Sequence, residues 1–186
     1  MASVGFHGHV IELECGEDAL FKRLDGAVRR GIRKSEDAGL RAEFSTSLEA
    51  VREYFALHCL TRRRHGPPPQ PFRLFHNIAR YVLAEGHGFV ATARLGQKPL
   101  AASVFFHSSS EAIYKFGASD YAFQKLRPNN LVMWEAIKRC TANGFARLHL
   151  GRTSLANEGL RQFKRRLERV KKKSNTENTI SRNDRL

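Results

Sequence analysis

The segment 150–164 carries the residues with the clearest potential for chemistry. It runs from the end of a predicted strand into a predicted helix and places Arg152, Asn157 and Glu158 close together. Lys164 lies farther along the same helix. Cationic and amide donors beside a strand end can bind an anion or a polarised carbonyl oxygen. The alternative for Lys164, taken alone, is an ordinary surface lysine.

A second candidate site lies where the predicted strand 112–118 approaches the predicted helix 130–143. The strand stops near Gly117, and the helix that follows would present free backbone N–H groups at its start. Such groups beside a strand end can bind an anion or a carbonyl oxygen. The simpler alternative is a strand and a turn in which Asp120 only caps the next segment.

Basic residues are the strongest compositional signal. The 186 residues include 32 Lys and Arg against 18 Asp and Glu, which gives a net charge of +14 and favours anionic partners. One cluster, Arg62–His65, follows a predicted helix, and another places eight Lys or Arg between Arg161 and Lys173. Each indicates either a phosphate-binding surface or a solvated helix face. Neither cluster is interleaved with aromatic residues, which disfavours a dedicated single-strand binder.

Missing motifs disfavour several classes of function. The chain has no G-x-G-x-x-G fingerprint, no P-loop and no G-x-S-x-G elbow. Its three cysteines, Cys15, Cys59 and Cys140, are 44 and 81 residues apart, which fits neither a disulfide framework nor a zinc site. His58 and His65 can share a helix face, but no carboxylate or thiol completes a metal site there. We therefore predict three reduced thiols and no metal.

Hydropathy and the two termini predict where the protein resides. No apolar run approaches the roughly 18 residues that a membrane span needs. The first 14 residues contain two His and two Glu rather than a basic region followed by an apolar one, so we predict no signal peptide. These features predict a cytoplasmic protein. The polar segment 169–186 is expected to be a disordered tail.

Hydrophobic periodicity predicts elements in the order β-α-β-α-α-β-β-β-α-β-α. Three alternating segments joined by short turns are typical of an antiparallel meander. Helices that cross on both sides of it predict a mixed sheet in an α/β (α+β) domain. The predicted elements are strand 3–14, basic helix 19–38, strand 40–45, a helix that starts after the N-cap Ser47 and ends within 61–66, a stiff proline connector 67–71, helix 72–85, strands 89–95, 100–106 and 112–118, helix 130–143, strand 145–150, loop 151–156 and helix 157–168.

Short motifs that follow one another along the chain resemble a known family. They are RRGIRK at 29–34, TRRRHGPP at 61–68, YKFGAS at 114–119, PNNL at 128–131, WEAI at 134–137, LGRT at 150–153, NEGL at 157–160 and FK at 163–164. Together they resemble the FemAB-like branch of the GNAT acyltransferase superfamily, which includes bacterial peptidoglycan-bridge aminoacyltransferases. The resemblance covers about residues 27–164.

The resemblance implies a GNAT-like fold, in which a mixed, mostly antiparallel sheet splays to hold an acyl donor and an amine acceptor. It implies an N-acyltransferase without prosthetic group or metal, whose donor is aminoacyl-tRNA or acyl-CoA. Lys164 matches the lysine of the family's Phe-Lys pair and would stabilise the charge that develops on the acyl oxygen. The expected substrate-binding residues are Phe163, Gly159, Asn157, Arg152, Tyr114 and Asp120.

The chain departs from this family at three points. His149 stands where relatives often carry an acidic residue, and the loop 123–130 has no glycine, which predicts that acetyl-CoA is not bound in the usual mode. Residues 1–39 resemble the remnant of a preceding half, and 40–168 resemble the acyltransferase domain without the strands that close it in relatives. We therefore expect an open edge of the cleft, with activity impaired by truncation or a second chain that completes the cleft.

Two alternatives remain open at this point. The first is a non-catalytic nucleic-acid-binding module, which the basic clusters favour. The second is an inactive remnant of a longer enzyme, which would form a loose or oligomeric chain.

Overall fold

A six-stranded mixed sheet organises the part of the chain that the computed structural model describes, residues 6–154 and 158–168. Its strands are β1 (Phe6–Glu12), β2 (Arg41–Ser45), β3 (Gly88–Leu95), β4 (Lys98–Ser108), β5 (Glu111–Ser119) and β6 (Arg147–Ser154). They lie in the order β1-β6-β5-β4-β3-β2, and every pair is antiparallel except β5 with β6. The predicted fold class is confirmed.

Helices cover both faces of this sheet. Among the described residues, the α-helices are α1 (Glu17–Arg23), α2 (Gly26–Asp37), α3 (Leu48–His65), α4 (Phe72–Ile78), α5 (Pro128–Ala142) and α6 (Glu158–Glu168). A π-helical turn, Ala79–Leu83, extends α4, and a 3-10 segment, Tyr121–Leu126, precedes α5. The element order agrees with the predicted one, apart from the division of the first helix into two.

The central meander forms because its sequence alternates and its turns are tight. β3, β4 and β5 pair in sequence order, and Gly96 adopts φ 56° in the turn between the first two. This left-handed conformation costs glycine little, since glycine has no Cβ. The predicted meander is confirmed.

Apolar side chains fill the space between the sheet and the helices on both faces. On one face α2 and α5 bury Ile32 and Ile137, each 1% exposed. On the other face α3 buries Tyr54 against the strands. Val104 and Phe105 are neighbours on β4 but belong to opposite cores, because successive side chains of a strand alternate in direction. The sheet is therefore the middle layer of three.

The predicted helices 19–38 and 72–85 each differ from the observed elements. The first is broken between α1 and α2, where Asp25 caps the second helix by accepting a hydrogen bond of 2.8 Å from the Ala27 N–H. This cap satisfies a backbone donor that a new helix start leaves free. The second prediction covers α4 and the π-helical turn rather than one regular helix. Ser47 is the N-cap of α3, as predicted.

Two predictions at the β6 edge are wrong. The loop predicted over 151–156 is wrong for its first four residues, because β6 continues to Ser154. The cleft edge beside β6 is not open, since β1 pairs with it antiparallel, with Val10 opposite His149 and Glu12 opposite Arg147. The side chains of β1 join the same core as α1 and α2. The tail predicted for 169–186 lies outside the described residues.

Candidate active site

A cleft opens where β5 and β6 separate. The two strands pair only from Glu111–Ile113 to Arg147–His149, and beyond that point they diverge. A bulge at Lys115 follows directly, because Val104 pairs with Phe116 and Phe105 pairs with Tyr114. Bulges bend and twist a strand, which supports the divergence. The resulting cavity has a volume of about 1270 Å³, and residues from β1, α3, α5 and α6 complete its walls.

Lys164 is buried in the wall of this cleft. It is 4% exposed, and its Nζ donates a hydrogen bond of 3.3 Å to the carbonyl oxygen of Gly151 on β6. Leu167, three residues later, packs into the core, so one face of α6 points inward at both positions. Burial lowers the pKa of Lys164, because the charged form is desolvated. An ammonium has three donors, so others remain for a bound group.

Tyr114 occupies the strand that faces Lys164 across the splay. Burial raises the pKa of its phenol to about 12, although a hydrogen bond with the Ser103 side chain acts in the opposite direction. The ring folds over Gly117, where an added Cβ would overlap the Tyr114 hydroxyl oxygen. Glycine at 117 therefore makes room for this tyrosine beside the cleft.

Most of the site residues expected from the sequence come together here. Lys164, Phe163, Gly159, Arg152 and Tyr114 all line the cleft. Asn157 lies outside the described residues, so the structure does not place it.

Asp120 is the exception among the described site residues. It does not appear in the cleft wall, and its Oδ1 accepts a hydrogen bond of 3.0 Å from the Ala122 N–H. It thus caps the 3-10 segment, which is the simpler alternative considered for it.

A polar group on the opposite wall of the cleft is not among the site residues expected from the sequence. Tyr54 and His58, one turn apart on α3, both line the cleft, and Tyr54 Oη lies 3.3 Å from His58 Nδ1. Gln70, from the proline-rich connector, lines it beside them. The i, i+4 spacing of Tyr54 and His58 was a visible signal. The position of Gln70 depends on the path of the connector and had no local signal.

The charged side chains around the cleft share one sign. Among the described residues that line it, those with a formal charge are Arg62, Arg64, Lys115, Arg152 and Lys164. The guanidinium carbon of Arg64 lies 3.4 Å from the centroid of the Tyr121 ring, which fixes a cation against an aromatic face. A concave surface of one charge concentrates ligands of the opposite charge. The cleft is therefore suited to an anionic ligand.

The start of α5 forms one end of the cleft, where Asn129 lines the wall and donates a hydrogen bond of 3.1 Å to Ser119 Oγ. Pro128 has no N–H, and the Asn130 N–H already donates to the Arg127 carbonyl at 2.9 Å. Fewer backbone donors therefore face a ligand here than a glycine-rich loop would offer. Side chains rather than backbone must supply much of the contact with an anion.

His149 lies near the point where β5 and β6 part. Its Nε2 is 3.1 Å from Glu111 Oε2, and Arg147 holds the other oxygen of that carboxylate at 3.0 Å. The histidine on β6 therefore stands beside an acidic side chain of β5.

Two kinds of feature are absent from the described ranges, a metal-binding cluster and a membrane-spanning helix. Within 6–154 and 158–168, no group of three or more His, Cys, Asp or Glu residues is placed to hold a metal ion. In the same ranges, no helix is long and apolar enough to cross a membrane.

Comparison with known proteins now identifies the family. A family model described as an acetyltransferase (GNAT) domain matches residues 22–171. The chain belongs to the GNAT acetyltransferase family. No curated protein sequence matches the chain. The match confirms the GNAT membership that the resemblance implies, and the similarity to FemX confirms the fold; the FemAB-like branch itself stays a prediction.

Solved structures share this GNAT fold at low sequence identity. FemX superposes with a TM-score of 0.79 and 15% identity, covering 87% of this chain and 58% of FemX. L-PGS from Bacillus licheniformis gives 0.62 and 12%, covering 90% of this chain and 59% of L-PGS. AAC(6')-Iy, solved in complex with a bisubstrate analogue, CoA-S-monomethyl-acetylneamine, superposes with a TM-score of 0.56 and 14% identity. The superposition covers 79% of this chain and 99% of AAC(6')-Iy. The chain thus spans less than two thirds of FemX and L-PGS.

Proposed function

We propose that this GNAT protein is an N-acyltransferase that moves an acyl or aminoacyl group from a phosphate-bearing donor to an amine. The observation that carries the proposal is the buried Lys164 at the splay between β5 and β6, with Nζ held by the Gly151 carbonyl oxygen. A fixed cation in a desolvated wall is well placed to stabilise negative charge that appears during a reaction. The family match supports transfer over the non-catalytic alternative.

The chemistry follows from where charge develops. The amine nitrogen attacks the acyl carbonyl carbon, a C–N bond forms, and the carbonyl oxygen becomes an oxyanion. Lys164 donates a hydrogen bond to that oxygen, and its positive charge counts for more in the poorly solvated cleft than it would in water. The carbon–sulfur or carbon–oxygen bond to the donor then breaks, the amine loses a proton, and the leaving thiolate or alkoxide gains one.

The donor's phosphates would be held by basic side chains. Arg62, Arg64 and Lys115 lie in the cleft wall, whereas the start of α5 offers few free backbone donors. Both acyl-CoA and aminoacyl-tRNA carry several phosphates, so this charge suits either. AAC(6')-Iy is solved with a CoA-containing analogue, which supports acyl-CoA as the first donor to try.

Two further expectations, a cellular compartment and a second chain, accompany this function. The three cysteines of the described residues, Cys15, Cys59 and Cys140, are free thiols, which supports a reducing compartment such as the cytoplasm.

FemX and L-PGS are longer than this chain, so a second chain that contributes to the acceptor side of the cleft is part of the proposal. A dimer-dependent rise in specific activity with protein concentration would support it.

The decisive experiment is a transfer assay on the purified chain. Acetyl-CoA and aminoacyl-tRNA are each offered with a panel of primary amines, and amide products are detected by mass spectrometry. We expect the Lys164→Ala variant to lose about 10²–10³-fold in kcat with little change in donor KM, as for the loss of an oxyanion donor.

The matched control is Arg165→Ala, which removes a cation from an exposed position on the same helix. It should transfer at the wild-type rate. Full activity in Lys164→Ala would remove the lysine from the mechanism, and no product with any donor would count against the proposed function as a whole.

A further inference from the structure

The described residues that line the cleft include no Asp or Glu, although a proton must leave the amine when it attacks. Histidine is the side chain that most readily accepts and releases a proton near neutral pH. Four histidines line the cleft, and they are His9, His58, His65 and His149. A histidine is therefore the natural base in this cleft wall.

These histidines differ in how far a substrate can reach them. His9 and His58 are 2% and 5% exposed, so their rings present almost no surface to a ligand. His65 is exposed, but it ends α3 inside the basic cluster Arg62–His65. His149 keeps 36% of its side chain exposed and lies beside the carboxylate of Glu111 on β5. Of the four, His149 combines access from the cleft with a partner that can orient it.

The contact with Glu111 fixes which nitrogen of His149 is basic. Nε2 lies 3.1 Å from Glu111 Oε2, and an ionised carboxylate can only accept, so Nε2 carries the proton and donates it. The neutral ring then has its lone pair on Nδ1. Arg147 donates to the other Glu111 oxygen at 3.0 Å and lies 3.4 Å from a carboxylate oxygen of Glu12 on β1. The orienting carboxylate is therefore itself held in place, as in other sites where a third group orients the base.

We propose that His149, oriented by Glu111, is the base that takes the proton which the acceptor amine loses on attack. This inference rests on the proposed function and assigns the proton acceptor that the reaction requires. The amine nitrogen bonds to the acyl carbon, and its proton moves to His149 Nδ1. The bond between the acyl carbon and the donor then breaks, and the departing thiolate or alkoxide takes that proton from Nδ1.

The position of His149 along β6 suits this role. Gly151, two residues further on, accepts the hydrogen bond from Lys164 Nζ at 3.3 Å. Two residues of extended chain span at most about 7 Å, so both side chains approach the same part of the cleft. The acyl oxygen would meet the lysine, while the amine nitrogen, bonded to the same carbon, would meet the histidine.

The expected pH dependence follows from the loss of the Nδ1 lone pair when the ring is protonated. Transfer should therefore fall on the acidic side of the pH profile, whereas loss of the Lys164 ammonium acts on the alkaline side. The charged or titratable side chains of the strand segments paired at His149, or of the neighbouring cleft wall, are Glu111, Tyr114 and Lys115 on β5, Arg147 and Arg152 on β6, His9 and Glu12 on β1, and Lys164 on α6.

The first test observes the ring nitrogens of His149 and needs no turnover. In protein made with ¹⁵N-labelled histidine, the His149 resonances are those absent from His149→Gln. We expect the Nε2–H tautomer and an Nδ1 resonance that shifts with butylamine, in wild type and in Lys164→Ala alike. Tetramethylammonium, a cation without N–H donors, is the matched control and should not shift it. An Nδ1–H tautomer, or an Nδ1 resonance that butylamine does not move, overturns the inference.

The second test uses the transfer assay. His149→Gln should lower kcat/KM near neutral pH by about 10²–10⁴-fold, the usual contribution of a general base, and should remove the fall on the acidic side. His107→Gln, which changes a half-buried histidine outside the cleft, is the matched control and should change neither. Wild-type transfer by His149→Gln overturns the inference.

Glu111 is a positioning residue in this proposal, and Glu111→Gln tests it separately. An amide can donate as well as accept, so this variant should show a mixture of His149 tautomers and a lower rate that still falls on the acidic side. Glu43→Gln is the matched control, because the Glu43 carboxylate also pairs with an arginine, Arg94, away from the cleft. An unchanged tautomer in Glu111→Gln overturns the orienting role. If no donor and amine react, the proposed function fails, and the nitrogen resonances alone decide this inference.

Discussion

The polar side chains of the two cleft walls are brought together in different ways. The β6–α6 wall places Lys164 through one strand-to-helix connection, so its residues lie within about 14 positions of one another in the sequence, between Gly151 and Lys164. The α3 wall combines Tyr54 and His58 with Gln70 from a separate connector. A local motif therefore reveals the first wall, whereas the second depends on tertiary structure. Sequence motifs find catalytic groups more readily than the surfaces that face them.

The largest effect that would test this contrast is expected in the pH profile of the transfer rate, on its alkaline side. Because burial lowers the pKa of Lys164, its ammonium is lost at a pH below that of an exposed lysine. Transfer that needs the ammonium should fall by about tenfold per pH unit above that pKa. The rate at saturating donor is measured from neutral to alkaline pH in wild type, Lys164→Ala and Arg165→Ala.

Only Lys164→Ala should lack the alkaline limb. The same limb in all three proteins would assign it to another group and would leave the β6–α6 wall without its electrostatic role.

An intermediate effect is expected at the boundary between the walls. In Gly117→Ala the new methyl group would overlap the Tyr114 hydroxyl, so the ring must move from its place beside Ser103. Overpacking of this kind costs about 1–3 kcal/mol in the free energy of unfolding. Chemical denaturation measures it, and Gly117→Ala combined with Tyr114→Phe should recover part of the loss. No recovery in the double variant would contradict the assigned contact.

The smallest effect concerns the donor rather than the reacting atoms. Arg64→Ala removes a cation from the α3 wall and its stacking on Tyr121. Exposed electrostatic contacts of this type are worth about 0.5–1 kcal/mol, so donor KM should rise by a few-fold with kcat unchanged. Arg29→Ala on α2 is a matched control away from the cleft. Equal behaviour of the two variants would show that general charge, not the α3 wall, attracts the donor.

Much of the fold follows from local patterns that the structure confirms. Alternation over β3 to β5 specifies the meander, and Ser47 marks the start of α3. The break before α2 was hidden because Leu20, Leu24, Val28 and Ile32 keep helical spacing across it, and all four are buried. There a capping aspartate outweighs a continuous apolar stripe.

The site was predictable to a smaller extent. The resemblance places Lys164 and Phe163 correctly in the cleft wall, because both belong to one helix. Asp120 has a carboxylate that could bind a substrate, but this carboxylate accepts a hydrogen bond from the Ala122 N–H instead. From the sequence alone, His58 pairs only with His65 as a possible metal ligand, because the sequence does not show that the connector 67–71 folds back to place Gln70 beside His58.

The short pairing between β5 and β6 has a consequence for motion. Three residue pairs join them, so β1 and β6 form one half-sheet and β2 to β5 form another, and the direct link between the two is this narrow seam. Local opening needs the least free energy where the fewest hydrogen bonds and contacts must be broken. Amide hydrogens along the seam should therefore exchange with solvent sooner than those between β3 and β4. A substrate that bridges the two half-sheets would slow that exchange, and would set the width of the cleft as it binds.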